Sequence, residues 1–296
     1  MAKEPRSLTG KVVVITGGGR GIGRAIAQSL AREGSRVAVG DLDKESAEST
    51  AAALGGGAVG LGIDVTDHAG LVAFFDEVEQ RLGPLDIVIN NAGIMPVTPL
   101  VEESAESIAR QLDINLRAVI HGTQEAMRRM VPRRTGHIVN MASIAGRSGF
   151  PYLATYCATK HGVVGLSEAA RVELRGTGVE VSVVMPSVVN TELTAGLAES
   201  RVKAVEVDDV AREVLSALKV PRFDVFVPRS NGPLIQITSP LPRRVREAIG
   251  RWLKADQSLL QTDRSARAGY EARAAASAPA TEVVIAETAA PDSAAA

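Results

Sequence analysis

Cysteine occurs once in this chain, at Cys157. One thiol closes no internal disulfide, so a reducing compartment, the cytoplasm, is the expected setting. No apolar run approaches the ~18–20 residues of a membrane span. The N-terminus, Met1 to Ser7, is polar and lacks the apolar centre of a secretory signal. Charge of one sign is not in excess either: Lys plus Arg is 33 against 34 Asp plus Glu, a net charge of −1. That balance gives no electrostatic reason to expect a nucleic-acid partner. Histidines are few, and His68, His121, His137 and His161 have no ligand spacing, so no metal site is expected. Only 3% of residues are aromatic, but 45% of the 296 are hydrophobic, enough for one large core or two domains.

Short apolar runs alternate with helix-like stretches. Val12–Thr16, Arg36–Val39, Val59–Ile63, Ile87–Asn90, His137–Asn140, Val179–Val184 and Phe223–Val227 read as strands. Most carry Val and Ile on consecutive positions, as strands buried on both faces do. Helices are expected over Gly23–Glu33, His68–Arg81, Ser107–Val131, Tyr156–Arg175 and Asp208–Leu218. The alternation predicts an α/β fold, a doubly wound parallel sheet of Rossmann type, over about residues 8–235. Ligands of such sheets bind beyond the strand C-termini. Two regions fall outside the rhythm. Residues 236–260 contain an amphipathic helix, with Leu241, Val245, Ala248, Ile249, Trp252 and Leu253 at helical period and Arg and Lys between them. It is expected to pack on the body or to form part of a substrate lid, with peripheral membrane contact through 241–254 as the sharper alternative. From about Arg267 the chain is rich in Ala, Ser and Pro, and 266–296 is expected to be a disordered tail.

Directly after the first strand stand Gly17, Gly21 and Gly23, with Arg20 and Ile22 between them. Glycines allow a tight turn and let a phosphate approach the backbone. The following helix would aim its free N–H groups and positive dipole end at a pyrophosphate. Asp41 closes the second strand, where a carboxylate accepts from ribose hydroxyls and repels a 2′-phosphate. Arg20 is the opposing cation, but Asp41 stands at the discriminating atom, so NAD is expected over NADP. Further along, Tyr156 and Lys160 share one helix face. An ammonium favours the phenolate, so the tyrosine can exchange a proton with an alcohol or carbonyl oxygen. Ser143, after the fifth strand, could hydrogen-bond that oxygen. Cys157 has no partnered base in sequence and reads as a packing residue.

With these residues in order the chain resembles the short-chain dehydrogenases/reductases, from about Leu8 to Val227. The TGxxxGxG loop (Thr16–Gly23), Asp41, Asp64-Val65, Asn90-Asn91-Ala92-Gly93, Asn115, Ser143, Tyr156, Lys160 and Pro186–Thr191 carry the resemblance. It implies that Tyr156 is the acid/base, that Ser143 orients the substrate oxygen, that Lys160 binds the nicotinamide ribose and lowers the tyrosine pKa, and that Asn115 holds a relay water. It implies that Asp64 and Val65 meet the adenine, that Asn91, Ala92 and Gly93 line the adenosine ribose and central sheet, that Val189 binds the carboxamide through its backbone, and that Thr191 lies near the nicotinamide. The implied reaction interconverts a secondary alcohol and a ketone by hydride transfer. Ser187 replaces the family's usual glycine after Pro186. The family's common C-terminal glycine-rich strand is replaced by a proline-containing stretch and the basic helix. A homodimer or homotetramer is implied, with the long helices near 107–131 and 156–175 as the dimer face. Residues 192–220 are expected to cover the substrate, with Leu193, Leu197 and Val202 hinting at an apolar pocket and a lipophilic alcohol. Other readings stay open: an NADPH-dependent ketone reductase, an epimerase or dehydratase on a tightly held cofactor, or a nucleotide-sensing binding protein without turnover.

Overall fold

The computed structural model describes residues 4–194, 204–238, 240–242, 244, 245, 248 and 264–276. Its centre is a sheet of seven strands: β1 (Val12–Thr16), β2 (Arg36–Asp41), β3 (Val59–Gly62), β4 (Ile87–Asn90), β5 (Gly136–Met141), β6 (Val179–Pro186) and β7 (Asp224–Val227). The order is β3-β2-β1-β4-β5-β6-β7, and every pairing is parallel. The expected doubly wound sheet is therefore present. The order reverses between β1 and β4, where a crevice opens at the strand C-termini.

Alternate side chains of each strand enter different cores. Val13, Ile15, Val37, Val39, Ile87 and Ile89 pack on one face, and Val12, Val14, Ala38 and Val88 on the other. The first face is covered by α1 (Gly21–Arg32), α2 (Lys44–Leu54) and α7 (Val207–Lys219), and the second by α3 (His68–Leu82), α5 (Ala118–Met130) and α6 (Ala154–Glu173). Burial on both faces is why the strands read as continuous apolar runs.

Three expectations need correction. The predicted helix 107–131 is broken: α4 (Ala105–Leu112) and α5 are joined by a π-helical turn, Asp113–Arg117. Asp-Ile-Asn-Leu-Arg carries no glycine or proline to announce the break. Of the expected substrate cover 192–220, the part forming α7 is a core helix. Its Val210, Val214, Ala217 and Leu218 are buried in the same cluster as Ile26 and Leu30 of α1. Finally, the tail expected to be disordered from 266 contains a helix, here α9 (Arg264–Ala276), which follows α8 (Asn231–Thr238) in the described chain. Leu197, Val202, most of 241–254, and everything after 276 lie outside the described residues.

His137 on β5 is buried, its Nε2 2.8 Å from Ser182 Oγ. Burial, with Arg6 acting in the same sense, pushes its pKa down to about 3. An unfolded histidine takes up a proton near 6.5, so the native state loses stability as pH falls below that value towards 3. The stability advantage of the wild type over His137→Gln, measured by urea unfolding, is expected to shrink by up to about 1.4 kcal/mol per pH unit between pH 6 and 4. An advantage independent of pH would contradict this assignment.

Candidate active site

The turn after β1 is held from several sides. Asn91 donates from Nδ2 to the carbonyls of Thr16 (3.0 Å) and Gly17 (2.9 Å). Thr16 Oγ1 accepts from the N–H groups of Asn91 and Ala92. The hydroxyls of Ser46 and Thr50 on α2 donate to the Gly19 carbonyl. Asp41 Oδ2 accepts from the Gly19 N–H at 2.9 Å. Glycine is required here by space: a Cβ at Gly23 would lie 2.3 Å from the Gly17 carbonyl oxygen. Gly21, by contrast, has φ +53° and faces open space, with Thr191 Cγ2 at 3.8 Å as its neighbour.

This cradle fits a dinucleotide. Helix α1 begins without a side-chain cap and without an acidic residue in its first turn, so its leading N–H groups are left for an anion. Arg20, at the cap position, turns its guanidinium to Asp43 at 2.8 Å. Asp64 accepts from the Thr66 N–H and hydroxyl, and Val65 packs beside it against the core.

Ser143, Tyr156 and Lys160 meet at one cavity of about 150 Å³, whose wall also includes Ile22, Asn91 and Gly93. Val189 and Thr191 reach the same cavity from the loop after β6. Val189 is buried, and its carbonyl accepts from the Thr194 hydroxyl. Ser143 is fixed by accepting the Ala145 N–H at 3.1 Å. Its own hydroxyl donates to the Pro186 carbonyl at 3.5 Å, and it shares the cavity wall with Tyr156. Lys160 Nζ donates to the Met141 carbonyl at 2.9 Å and stands 5.6 Å from the centre of the Tyr156 ring. Asn115 does not face the cavity. It is fully buried in the π-helical turn, where Oδ1 accepts the Ile94 N–H and Nδ2 donates to the Ile94 carbonyl, both at 2.8 Å. Ser187, the departure from the family pattern, lines the cavity with a buried hydroxyl that has no protein partner. Such an atom favours a ligand that supplies one.

Burial decides the electrostatics. Loss of water pushes the Tyr156 phenol up to about 12, and the nearby Ser143 hydroxyl opposes only part of that rise. The same cause brings Lys160 down to about 8. Desolvation is the largest influence on both groups and moves each towards its neutral form in the protein alone. Cys157 is buried beside Tyr156 with its thiol pushed up by burial, which suits packing rather than nucleophilic chemistry.

Sequence reasoning missed α2's Ser46 and Thr50, and it missed Met95, Arg267 and Tyr270. The Met95 N–H donates to the Tyr270 oxygen at 2.6 Å, and Arg267 donates to the Met95 carbonyl at 2.8 Å. No local pattern signals contacts between segments so far apart in the chain.

Comparison with known proteins agrees with this geometry. The sequence profile of the family described as short chain dehydrogenase matches residues 11–202. Sorbitol dehydrogenase of Cereibacter sphaeroides is 41% identical over 186 residues, 62% of this chain and 73% of that protein. The 17-beta-hydroxysteroid dehydrogenase 13 of Rattus norvegicus is 32% identical over 252 residues, 83% of this chain and 84% of that protein. A solved short chain dehydrogenase/reductase from Burkholderia phymatum, in complex with NAD, is 28% identical with a TM-score of 0.73, covering 78% of this chain and 93% of the other. The chain belongs to the short-chain dehydrogenase family of oxidoreductases.

The two glycines of the loop should respond differently to a methyl group. Gly23→Ala forces the Gly17 carbonyl aside and is expected to lose roughly 2–3 kcal/mol in urea unfolding. Gly21→Ala meets only its left-handed backbone and should lose about 1 kcal/mol. Equal losses would mean that the close approach at Gly23 is not what fixes the turn.

Proposed function

We infer that the chain is an NAD-dependent oxidoreductase interconverting a secondary alcohol and a ketone, with Tyr156 as the acid/base. The observation that carries this reading is the convergence of Ser143, Tyr156 and Lys160 on one cavity that adjoins the glycine cradle. The relatives point the same way. Sorbitol dehydrogenase, galactitol 2-dehydrogenase and D-threitol dehydrogenase are among them, and the solved relative from Burkholderia phymatum contains NAD.

Preference for NAD over NADP rests on Asp41, which closes β2 beside the cradle, and on Arg20. The guanidinium is already paired with Asp43 and is 3.9 Å from Glu192, so it is poorly placed to receive a 2′-phosphate. NAD, when bound, would supply the redox chemistry as hydride acceptor or donor for the carbinol carbon. The protein supplies position and proton control. Gly17, Gly21 and Gly23 would admit the pyrophosphate, Asp41 would hold the adenosine ribose, and Asp64 and Val65 would meet the adenine. Asn91, Ala92 and Gly93 line the sheet edge, and Val189, Thr191 and Lys160 would hold the nicotinamide end. Ser143 donates to the substrate oxygen, and Tyr156 holds the proton that this oxygen gains or loses. Asn115 acts by shaping the backbone at Ile94, which fixes where a relay water binds. With its proton held at neutral pH, Tyr156 is in the form that protonates the substrate oxygen in reduction, and it must give up that proton before it can accept one in oxidation.

The cavity wall near Tyr156 is apolar, formed by Met95, Ala145, Leu153, Phe150 and Leu193. That favours an alcohol with hydrocarbon flanks over a polyol. A homodimer through α4, α5 and α6 is supported by their exposed Leu112, Ile120 and Val172. Among the described residues no helix is long and apolar enough to cross a membrane.

Titration of the purified protein with NADH and NADPH tests the cofactor reading. NADH is expected to bind at least about tenfold more tightly, with the preference lost in Asp41→Ala, since removing a charge at a close pair is worth 1.4 kcal/mol or more. Preference for NADPH would overturn the assignment of Asp41, and binding of neither would overturn the enzyme. Tyr156→Phe should lower turnover by about 10²–10⁴ while leaving NADH binding intact. Because the phenol is raised, alcohol oxidation should climb with pH between 6 and 8, by up to about tenfold per unit, while reduction stays flat. Parallel profiles in the two directions would show that another group carries the proton.

A further inference from the structure

The cavity wall beside Tyr156 is braced from behind by a segment that is remote in sequence. Helix α9 lies against two loops, the one after β4 and the one after β6. Arg267 donates to the Met95 carbonyl and to the Leu193 carbonyl, each at 2.8 Å. Its Nε meets Glu271 at 3.0 Å, and its guanidinium stands 5.1 Å from the centre of the Tyr270 ring. Tyr270 accepts the Met95 N–H at 2.6 Å. One turn on, Arg273 pairs with Glu192 at 2.5 Å. Both backbone polar groups of Met95 are thus bonded to α9, and the loop carrying Leu193 is bonded to the same arginine.

These contacts are not surface accidents. Arg267 is 1% exposed, and a guanidinium leaves water only where several acceptors replace it. Two carbonyls and one carboxylate do so here. Burial pushes the Tyr270 phenol well above its ordinary value. The side chains of Met95 and Leu193 pack with Ala145, Leu153 and Phe150 around Tyr156.

We propose that Arg267 and Tyr270 of α9 are specificity-determining residues: they fix Met95 and Leu193 as the outer wall of the substrate pocket and so set the size of the hydrocarbon flank it accepts. This rests on the alcohol–ketone reading above. Arg267 and Tyr270 act through Met95 and Leu193, so they are positioning residues and not catalytic ones. Releasing the wall lets Met95 and Leu193 withdraw, which weakens the hold on small alcohols and admits larger ones. Proton transfer at Tyr156 is left alone.

The test uses the full chain with NAD and four probe alcohols, 2-propanol, 2-butanol, 2-octanol and cyclohexanol. Wild type is compared with Tyr270→Phe, which keeps the ring, with Arg267→Met, and with Arg267→Lys, which can restore one carbonyl contact. In Tyr270→Phe and Arg267→Met, KM for the smallest alcohol oxidised is expected to rise about tenfold with kcat within about threefold, and the kcat/KM optimum to shift to a bulkier alcohol. Arg267→Lys should fall between them and the wild type. Unchanged ratios of kcat/KM among the alcohols in both Tyr270→Phe and Arg267→Met would overturn the proposal. If wild type oxidises none of the four, the alcohol reading fails by itself, and the wall is then judged by amide exchange. Tyr270→Phe must speed exchange of the Met95 N–H by about tenfold or more; unchanged exchange would sink the proposal independently.

Discussion

The stretch from Asn91 to Met95 has neither helix nor strand of its own, so its backbone polar groups must find partners elsewhere. Each partner comes from a different part of the fold. Thr16 at the end of β1 takes the N–H groups of Asn91 and Ala92. Asn115 in the π-helical turn satisfies both groups of Ile94. Tyr270 and Arg267 satisfy both groups of Met95. Asn91 in turn secures the glycine loop through its side chain. One irregular segment is the place where the cradle, the catalytic helix region and the C-terminal helix agree on their positions. The widened helical turn at Asn115 belongs to this scheme, since π-turns inside helices recur where function needs a displaced side chain.

Below this segment a buried polar chain links the layers. Asn90 donates to Asn140 at 2.8 Å, and Asn140 donates to Ser167 at 3.0 Å. Ser167 donates to the Val163 carbonyl, and Thr123 joins from α5. A network of this kind costs little when all its members are bonded, and it resists sliding of α5 and α6 over the sheet. Tyr156 and Lys160 sit on α6, so their distance from the strand ends is set by polar contacts as well as by apolar packing.

Most of the sheet was legible in the sequence because its strands are buried on both faces, and β-branched runs such as Val12–Ile15 have few other homes. The placement of the glycines and Asp41 was legible because they lie within adjoining strand–turn–helix units. What local reasoning could not reach depends on water and on distance. The Tyr156–Lys160 spacing invites a purely Coulombic argument, yet both groups are stripped of solvent and move towards their neutral forms. Lys160 also spends a donor on the Met141 carbonyl. Helix α9 was hidden by composition: Arg-Ser-Ala-Arg-Ala-Gly-Tyr-Glu-Ala-Arg reads as a polar, alanine-rich tail, and only the partners of Arg267 and Tyr270 reveal what they do. The break at Asp113–Arg117 was hidden because each residue there tolerates an ordinary helix.

The family profile ends at residue 202, whereas α9 begins at Arg264. Ser143, Tyr156, Lys160, Met95 and Leu193 thus lie inside the matched stretch, and the helix that braces Met95 and Leu193 lies beyond it. Mutation can rework one while leaving the other untouched. Kinship measured over the shared stretch speaks for the chemistry performed, and says much less about the molecule on which it is performed.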